Sequence, residues 1–75
     1  MEEQVKGIIA NVFQVEVGSI NADFGPGTVS QWDSAGHMRL IMALEEAFDV
    51  TFDDDGVADL VTFSAIVDAI RALQQ

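Results

Sequence analysis

The residues best suited to chemistry form a short run of Asp33, Ser34 and His37, with only alanine and glycine between the serine and the histidine. These are the residue types of a hydrolytic triad, which needs the histidine held between the serine and a buried acid. Ser34 and His37 lie three positions apart at the start of one predicted helix, and Asp33 does not readily reach the far side of the imidazole. A chain this short also has little room for a substrate pocket. We therefore expect no hydrolase, and we predict none of these residues to be catalytic.

The pair Asp33-Ser34 has a second interpretation. At a helix start, one of the two residues is expected to cap the helix. A serine there is also well placed to hold a phosphodiester, because free backbone N–H groups and the helix dipole favour negative charge. The dipeptide is common, so this interpretation depends on what surrounds it. His37, the only histidine, falls on the core-facing side of the helix, and we expect it to be packed or hydrogen-bonded.

The acidic run at residues 53–56 could be taken for a calcium loop. An EF-hand needs an acid at its first position, glycine at the sixth and glutamate at the twelfth. Placing Gly56 sixth puts Thr51 first and Thr62 twelfth, so two key ligands are missing. A charge run of this kind is usually a solvated helix start. We predict no metal site, although weak binding of divalent cations at residues 53–55 stays open.

Four segments show helical periodicity. The first helix is predicted at residues 2–14 and the second at 34–48, and between them lies a long connection with the main cluster of helix breakers. A short third helix is predicted at residues 54–60, and Thr62 is expected to cap the last helix. The residues predicted to face the core are Val5, Ile8, Ile9, Val12, Phe13, Val17, Ile20, Phe24, Val29, Leu40, Ile41, Ala43, Leu44, Ala47, Phe48, Val57, Leu60, Val61, Phe63, Ile66, Val67, Ile70 and Leu73. No strand pattern competes, except for a short extended piece at residues 49–52.

The second helix carries a further apolar stripe away from its core face. The stripe is formed by Ala35, Met38 and Met42, and charged residues flank it: Arg39, Glu45, Glu46 and Asp49. An apolar stripe rimmed by charge is typical of a docking surface, and methionine suits a surface that accepts several partners. The alternative is that the bundle wraps around this helix and buries the stripe.

The charge balance narrows the choice of partners. Thirteen acids and three bases give a formal net charge of −10. Binding to nucleic acid needs basic groups at phosphates, so we expect no nucleic-acid partner. The acids are expected to steer the protein towards partners with basic docking surfaces, unless they only maintain solubility.

Other features bound the class of protein. Cysteine is absent, which excludes disulfides and thiolate zinc sites. The N-terminus is acidic and unlike a signal peptide, and no apolar run approaches the length of a membrane span. We expect one domain over residues 1–75, monomeric and cytoplasmic, with no insertion into membranes.

The combination of these motifs resembles the acyl carrier protein family. Asp33-Ser34 opens a helix that continues through Leu40-Ile41-Met42-Ala43-Leu44-Glu45-Glu46-Ala47-Phe48, similar to the family pattern of Asp-Ser-Leu, an apolar helix and Leu-Glu-Glu-x-Phe. The similarity covers almost the whole chain, from the first helix through the loop at residues 20–24 to the start of the fourth helix at Thr62-Phe63.

The resemblance implies a four-helix bundle with a short third helix and a long loop between helices one and two. It implies that Ser34, with Asp33 beside it, is the attachment site of 4′-phosphopantetheine, added from coenzyme A by a phosphopantetheinyl transferase that uses magnesium. The thiol of the arm would carry acyl groups as thioesters. The cleft between the helices could shelter part of the acyl chain. Helix two would be the helix that partner enzymes recognise. The partner-binding residues would then be Ala35, Met38, Arg39, Met42, Glu45 and Glu46.

The chain departs from the family pattern near the attachment site. Ala35 replaces the usual leucine, and Arg39 reverses a charge on the predicted docking surface. Like-charge contact with a basic partner reduces binding, so we expect a poor client of housekeeping fatty-acid enzymes and a role in a specialised pathway. The resemblance leaves fatty-acid-like, polyketide and nonribosomal peptidyl or aminoacyl pathways open. The alternative from another class is a helical interaction bundle that is never modified.

Overall fold

The computed structural model describes residues 1–74, without the side chains of Asp54 and Asp55. These residues form helices α1 (Glu2–Phe13), α2 (Ser34–Phe48), α3 (Asp54–Ala58) and α4 (Phe63–Leu73), and a short 3-10 turn lies at Val17–Ser19. The predicted all-α architecture, with a short third helix and a long connection between α1 and α2, is confirmed. Residues 49–52 form no strand.

The helices begin and end at residues whose side chains or backbones suit those positions. The side chains of Asp33, Asp53 and Thr62 each accept a hydrogen bond from a first-turn N–H of α2, α3 and α4. Such caps satisfy donors that have no partner inside the helix. Gln14 and Asp49 end α1 and α2 in the left-handed conformation, at φ 58° and 54°. Thr62 is thus the cap that the sequence predicts.

The core is one apolar cluster in which α1 lies against α2 and α4. Most residues of the predicted core faces are buried or packed against the cluster. Its buried members are Val5, Ile9, Phe13, Ile20, Phe24, Trp32, Leu40, Ile41, Leu44, Phe52, Leu60, Phe63, Ile66, Val67 and Ile70.

Four residues predicted to face inward are exposed instead: Val17, Ala47, Val61 and Leu73. Val17 lies in the 3-10 turn and Leu73 in the last turn of α4, where fewer elements surround the chain. At Val61 the backbone, not the side chain, faces the protein, because its carbonyl oxygen lies so close to Gly25 that a Cβ at that glycine would collide with it. Ala47 points in the same direction as the buried residues Gly36 and Leu40, but it lies in the last turn of α2.

The long connection is attached to the bundle at both ends. The carbonyl oxygens of Phe24 and Ala22 accept hydrogen bonds from the N–H groups of Phe63 and Ser64, at 2.9 and 3.2 Å. The ring of Trp32 stacks on Phe13 with centroids 5.0 Å apart. These contacts hold the residues that precede Ser34 against α1 and α4. Over the described residues, no helix is long and apolar enough to cross a membrane.

Candidate functional site

Ser34 is the first residue of α2, and its side chain is exposed. Asp33 Oδ1 accepts a hydrogen bond from the Gly36 N–H at 2.8 Å. A Cβ at Gly36 would collide with the backbone oxygen of Gln31 and press against the ring of Phe13. Only glycine therefore allows the first turn of α2 to lie this close to the preceding loop, and this close packing sets the position of Ser34.

His37 bridges two segments through both of its ring nitrogens. The indole N–H of Trp32 donates to Nδ1 at 2.9 Å, and Nε2 lies 2.9 Å from the backbone oxygen of Val57. Because the indole nitrogen can only donate, Nδ1 is the acceptor and Nε2 carries the proton that it donates to Val57. The prediction of a hydrogen-bonded histidine is confirmed. Neither nitrogen remains to act as a base towards Ser34.

An open groove of about 490 Å³ begins at Ser34 and runs between α2 and the segment that links α3 to α4. Its lining is mostly apolar and consists of Pro26, Trp32, Asp33, Ser34, His37, Met38, Ala58 and Val61. Met38 and Val61 are half exposed, at 51% and 46% of their full surface. The groove therefore offers an apolar surface next to the exposed hydroxyl.

The second apolar stripe of α2 is exposed, as the docking interpretation requires. Met42 has 64% of its surface exposed, and Ala35, Arg39 and Glu46 are exposed as well. We call Ala35, Met38, Arg39, Met42 and Glu46 the methionine face. The alternative in which the bundle buries this stripe is wrong.

Glu45 differs from its neighbours on the predicted docking surface. Its side chain is half-buried, and Oε2 accepts a hydrogen bond from the Phe52 N–H at 2.8 Å. The structure thus gives Glu45 a part in holding the connection between α2 and α3.

Two further features concern charge. Arg71 forms an ion pair with Glu2. No acid whose side chain is described lies within ion-pair distance of Arg39. The described residues contain no group of three or more histidine or acidic side chains that could hold a metal. The side chains of Asp54 and Asp55, part of the predicted weak cation site, lie outside the described residues.

Most of the groove wall is not predictable from the sequence. No sequence signal places Pro26, Ala58 and Val61 beside Ser34, and the acceptor for His37 is a backbone oxygen. One signal was present, because Trp32 directly precedes Asp33 and lies five residues before His37. Nothing in the spacing of the residues indicated that Val57 would meet His37 across the bundle.

The chain is similar to a known protein over nearly its whole length. No protein-family model matches it. An acyl carrier protein from Desulforapulum autotrophicum is 33% identical over 78 aligned residues, which cover 95% of this chain and 94% of that protein. The similarity thus extends into all four helices and includes the loop that leads to Ser34.

Proposed function

We propose that this chain, which belongs to the acyl carrier protein family, holds acyl groups as thioesters on a 4′-phosphopantetheine arm attached to Ser34. It is a carrier and not an enzyme. The observation that supports the attachment site is the position of Ser34, exposed at the first residue of α2 and at the head of an apolar groove. The residues around it fit a phosphodiester joined to a long, flexible arm.

The start of α2 suits the charge of that phosphodiester. The first N–H groups of a helix have no partner inside it, and the helix dipole favours an anion there. Asp33 Oδ1 accepts a hydrogen bond from the Gly36 N–H. We therefore assign Asp33 the role of fixing the first turn of α2, which contains Ser34. Its carboxylate is already engaged as a cap and is not needed as a base.

Attachment is a displacement at phosphorus. The hydroxyl oxygen of Ser34 forms a bond to the phosphorus of coenzyme A that bears the pantetheine, and the pyrophosphate P–O bond breaks. The leaving group is adenosine 3′,5′-bisphosphate, and the serine proton passes to a base of the transferase, whose magnesium balances the charge. The attached arm then supplies the thiol that this cysteine-free chain lacks.

We propose the methionine face as the recognition surface for the transferase and for acyl-loading, condensing or acyl-transfer enzymes. Exposed methionines supply adaptable apolar contacts, and the net charge of −10 favours enzymes with basic docking surfaces. Glu45 accepts a hydrogen bond from the Phe52 N–H. In our proposal only the exposed portion of its side chain contributes to this surface. Arg39 favours a specialised fatty-acid-like, polyketide or peptidyl pathway over housekeeping fatty-acid synthesis.

The exposed Met38 and Met42 also support a second candidate, an interaction bundle that is never modified. Intact mass separates the two. The protein is incubated with coenzyme A, magnesium and a broad-specificity phosphopantetheinyl transferase, beside Ser34→Ala and the matched control Ser30→Ala, another exposed serine. We expect a gain of one phosphopantetheine on the wild type and on Ser30→Ala only. No gain on a wild type shown to be folded would favour the interaction bundle.

A further inference from the structure

We propose that His37 is a positioning residue that closes the seam between α2 and α3 beside Ser34, so that an acyl group carried on Ser34 stays in the outer groove and does not enter between the helices. This inference rests on the proposed function.

The seam depends on a side chain because the backbones do not close it. The helix α3 has only five residues, and the helix pairs in the most extensive contact are α1 with α2 and α1 with α4. At the end of the seam near Ser34, α2 and α3 are joined by the bond from His37 Nε2 to the Val57 oxygen, at 2.9 Å. An acyl chain that passed from Ser34 into the core along this route would have to displace that bond.

The position of His37 on α2 places it at the entrance to the core. Leu40, Ile41 and Leu44 follow it at spacings of three, four and seven residues and so share its face of the helix. Leu40 and Leu44 are completely buried, and Ile41 is 2% exposed. The imidazole therefore covers the end of this apolar row that lies nearest to Ser34.

The ring is also held from its other side. Trp32 donates to Nδ1 at 2.9 Å, and the two rings are stacked with centroids 6.1 Å apart. Trp32 in turn stacks on the buried ring of Phe13. Because both nitrogens are engaged and one partner is anchored in the core, His37 has little freedom to swing away and open the seam.

The outer groove offers an alternative surface. Met38 and Val61 stand half exposed on its two sides, and Pro26 and Ala58 extend the apolar lining. An acyl group lying there shields these side chains from water without breaking a hydrogen bond. The groove therefore takes the acyl group at lower cost than the closed seam.

The test compares acyl chains of different length on the same protein. The transferase loads wild-type protein from acetyl-, butanoyl- and octanoyl-coenzyme A, and intact mass confirms each product. Methyl NMR spectra are then compared between the three forms. We expect the Met38 and Val61 methyl signals to change with chain length and those of Leu40 and Leu44 to stay in place. Leu40 and Leu44 signals that move progressively from acetyl to octanoyl would overturn the inference.

Two variants test His37 itself. His37→Ala removes the bridge, and we expect its octanoyl form to shift the Leu40 and Leu44 signals. In His37→Gln the amide nitrogen can still donate to the Val57 oxygen, and we expect the wild-type pattern to return. An alanine variant that still excludes the octanoyl chain would overturn the role of His37; if it does not fold, the wild-type series decides. Absence of any mass gain would overturn the proposed function and this inference together. If the protein is loaded but the Leu40 and Leu44 methyl signals of the wild type move with chain length, only the inference is overturned.

Discussion

The indole N–H of Trp32 donates to Nδ1 of His37 over 2.9 Å, and this bond ties the loop in front of Ser34 to the first turn of α2. It also determines which nitrogen of His37 carries a proton, because the indole can only donate. The remaining N–H of His37 is therefore directed to the Val57 oxygen. Two hydrogen bonds through one imidazole thus link the loop before the attachment site to α3.

Trp32→Phe tests the importance of this bond. Phenylalanine preserves stacking on Phe13 but removes the donor, which leaves Nδ1 of His37 without its partner. Trp32 is buried, so the smaller ring also loses packing in the core. We expect a loss of roughly 2–3 kcal/mol in the free energy of unfolding, of which about 1 kcal/mol comes from the hydrogen bond, measured by urea denaturation and followed by circular dichroism. Unchanged stability would mean that water replaces the indole N–H at no cost.

Gly36→Ala tests the close packing beneath Ser34, with Gly7→Ala as its matched control. A Cβ at Gly36 would collide with the Gln31 backbone, whereas a Cβ at Gly7 meets no atom within 4 Å. We expect Gly36→Ala to destabilise the protein by roughly 1–3 kcal/mol. Gly7→Ala should stabilise it by about 0.5–1 kcal/mol, because alanine is favoured within a helix.

Denaturant unfolding measures both glycine variants under identical conditions. We expect the free energy of unfolding to fall in Gly36→Ala and to rise in Gly7→Ala. Equal effects would show that the first turn of α2 can shift away from Gln31 without loss.

Arg39→Gln tests the charge on the methionine face. Removing this cation should improve acceptance by a housekeeping fatty-acid ketosynthase with a basic docking surface, and Arg39→Glu should improve it further. We expect a rise in kcat/KM of roughly 3–10-fold for Arg39→Glu, since a rim charge acts mainly on association. Arg71→Gln is the control. It removes one positive charge as Arg39→Gln does, but from α4, and it should have little effect. Equal gains from both arginines would indicate a general charge effect and not a docking contact.

The net charge of −10 predicts a response to salt. Self-repulsion destabilises the compact state, and salt screens it. We expect the Tm to rise by several degrees between about 10 mM and 0.5 M NaCl, as measured by circular dichroism. The exposed Arg71–Glu2 pair should weaken over the same range, but such pairs contribute little. A Tm that is constant or falls would contradict the repulsion argument.

The helices were predictable because their signals are local. Apolar spacing and capping side chains located α2 at residues 34–48 and the cap of α4 at Thr62, and both agree with the structure. Side-chain direction was less predictable for residues outside the helices, such as Val61. Its side chain is exposed because its backbone contacts Gly25, 36 residues earlier in the chain. The bond from His37 to the Val57 oxygen was invisible for the same reason, because a backbone acceptor leaves no mark in the sequence.

We propose that acyl groups are held as thioesters on an arm at Ser34, and the modified peptide can be examined directly. The direct measurement loads the protein from acetyl-coenzyme A with the transferase, digests it and fragments the peptide that contains Ser34. We expect acetyl-phosphopantetheine on that serine, and neutral hydroxylamine should remove the acetyl group but leave the arm. An acetyl group on any other residue, or an arm absent from Ser34 in the folded protein, would show that Ser34 does not hold acyl groups as thioesters.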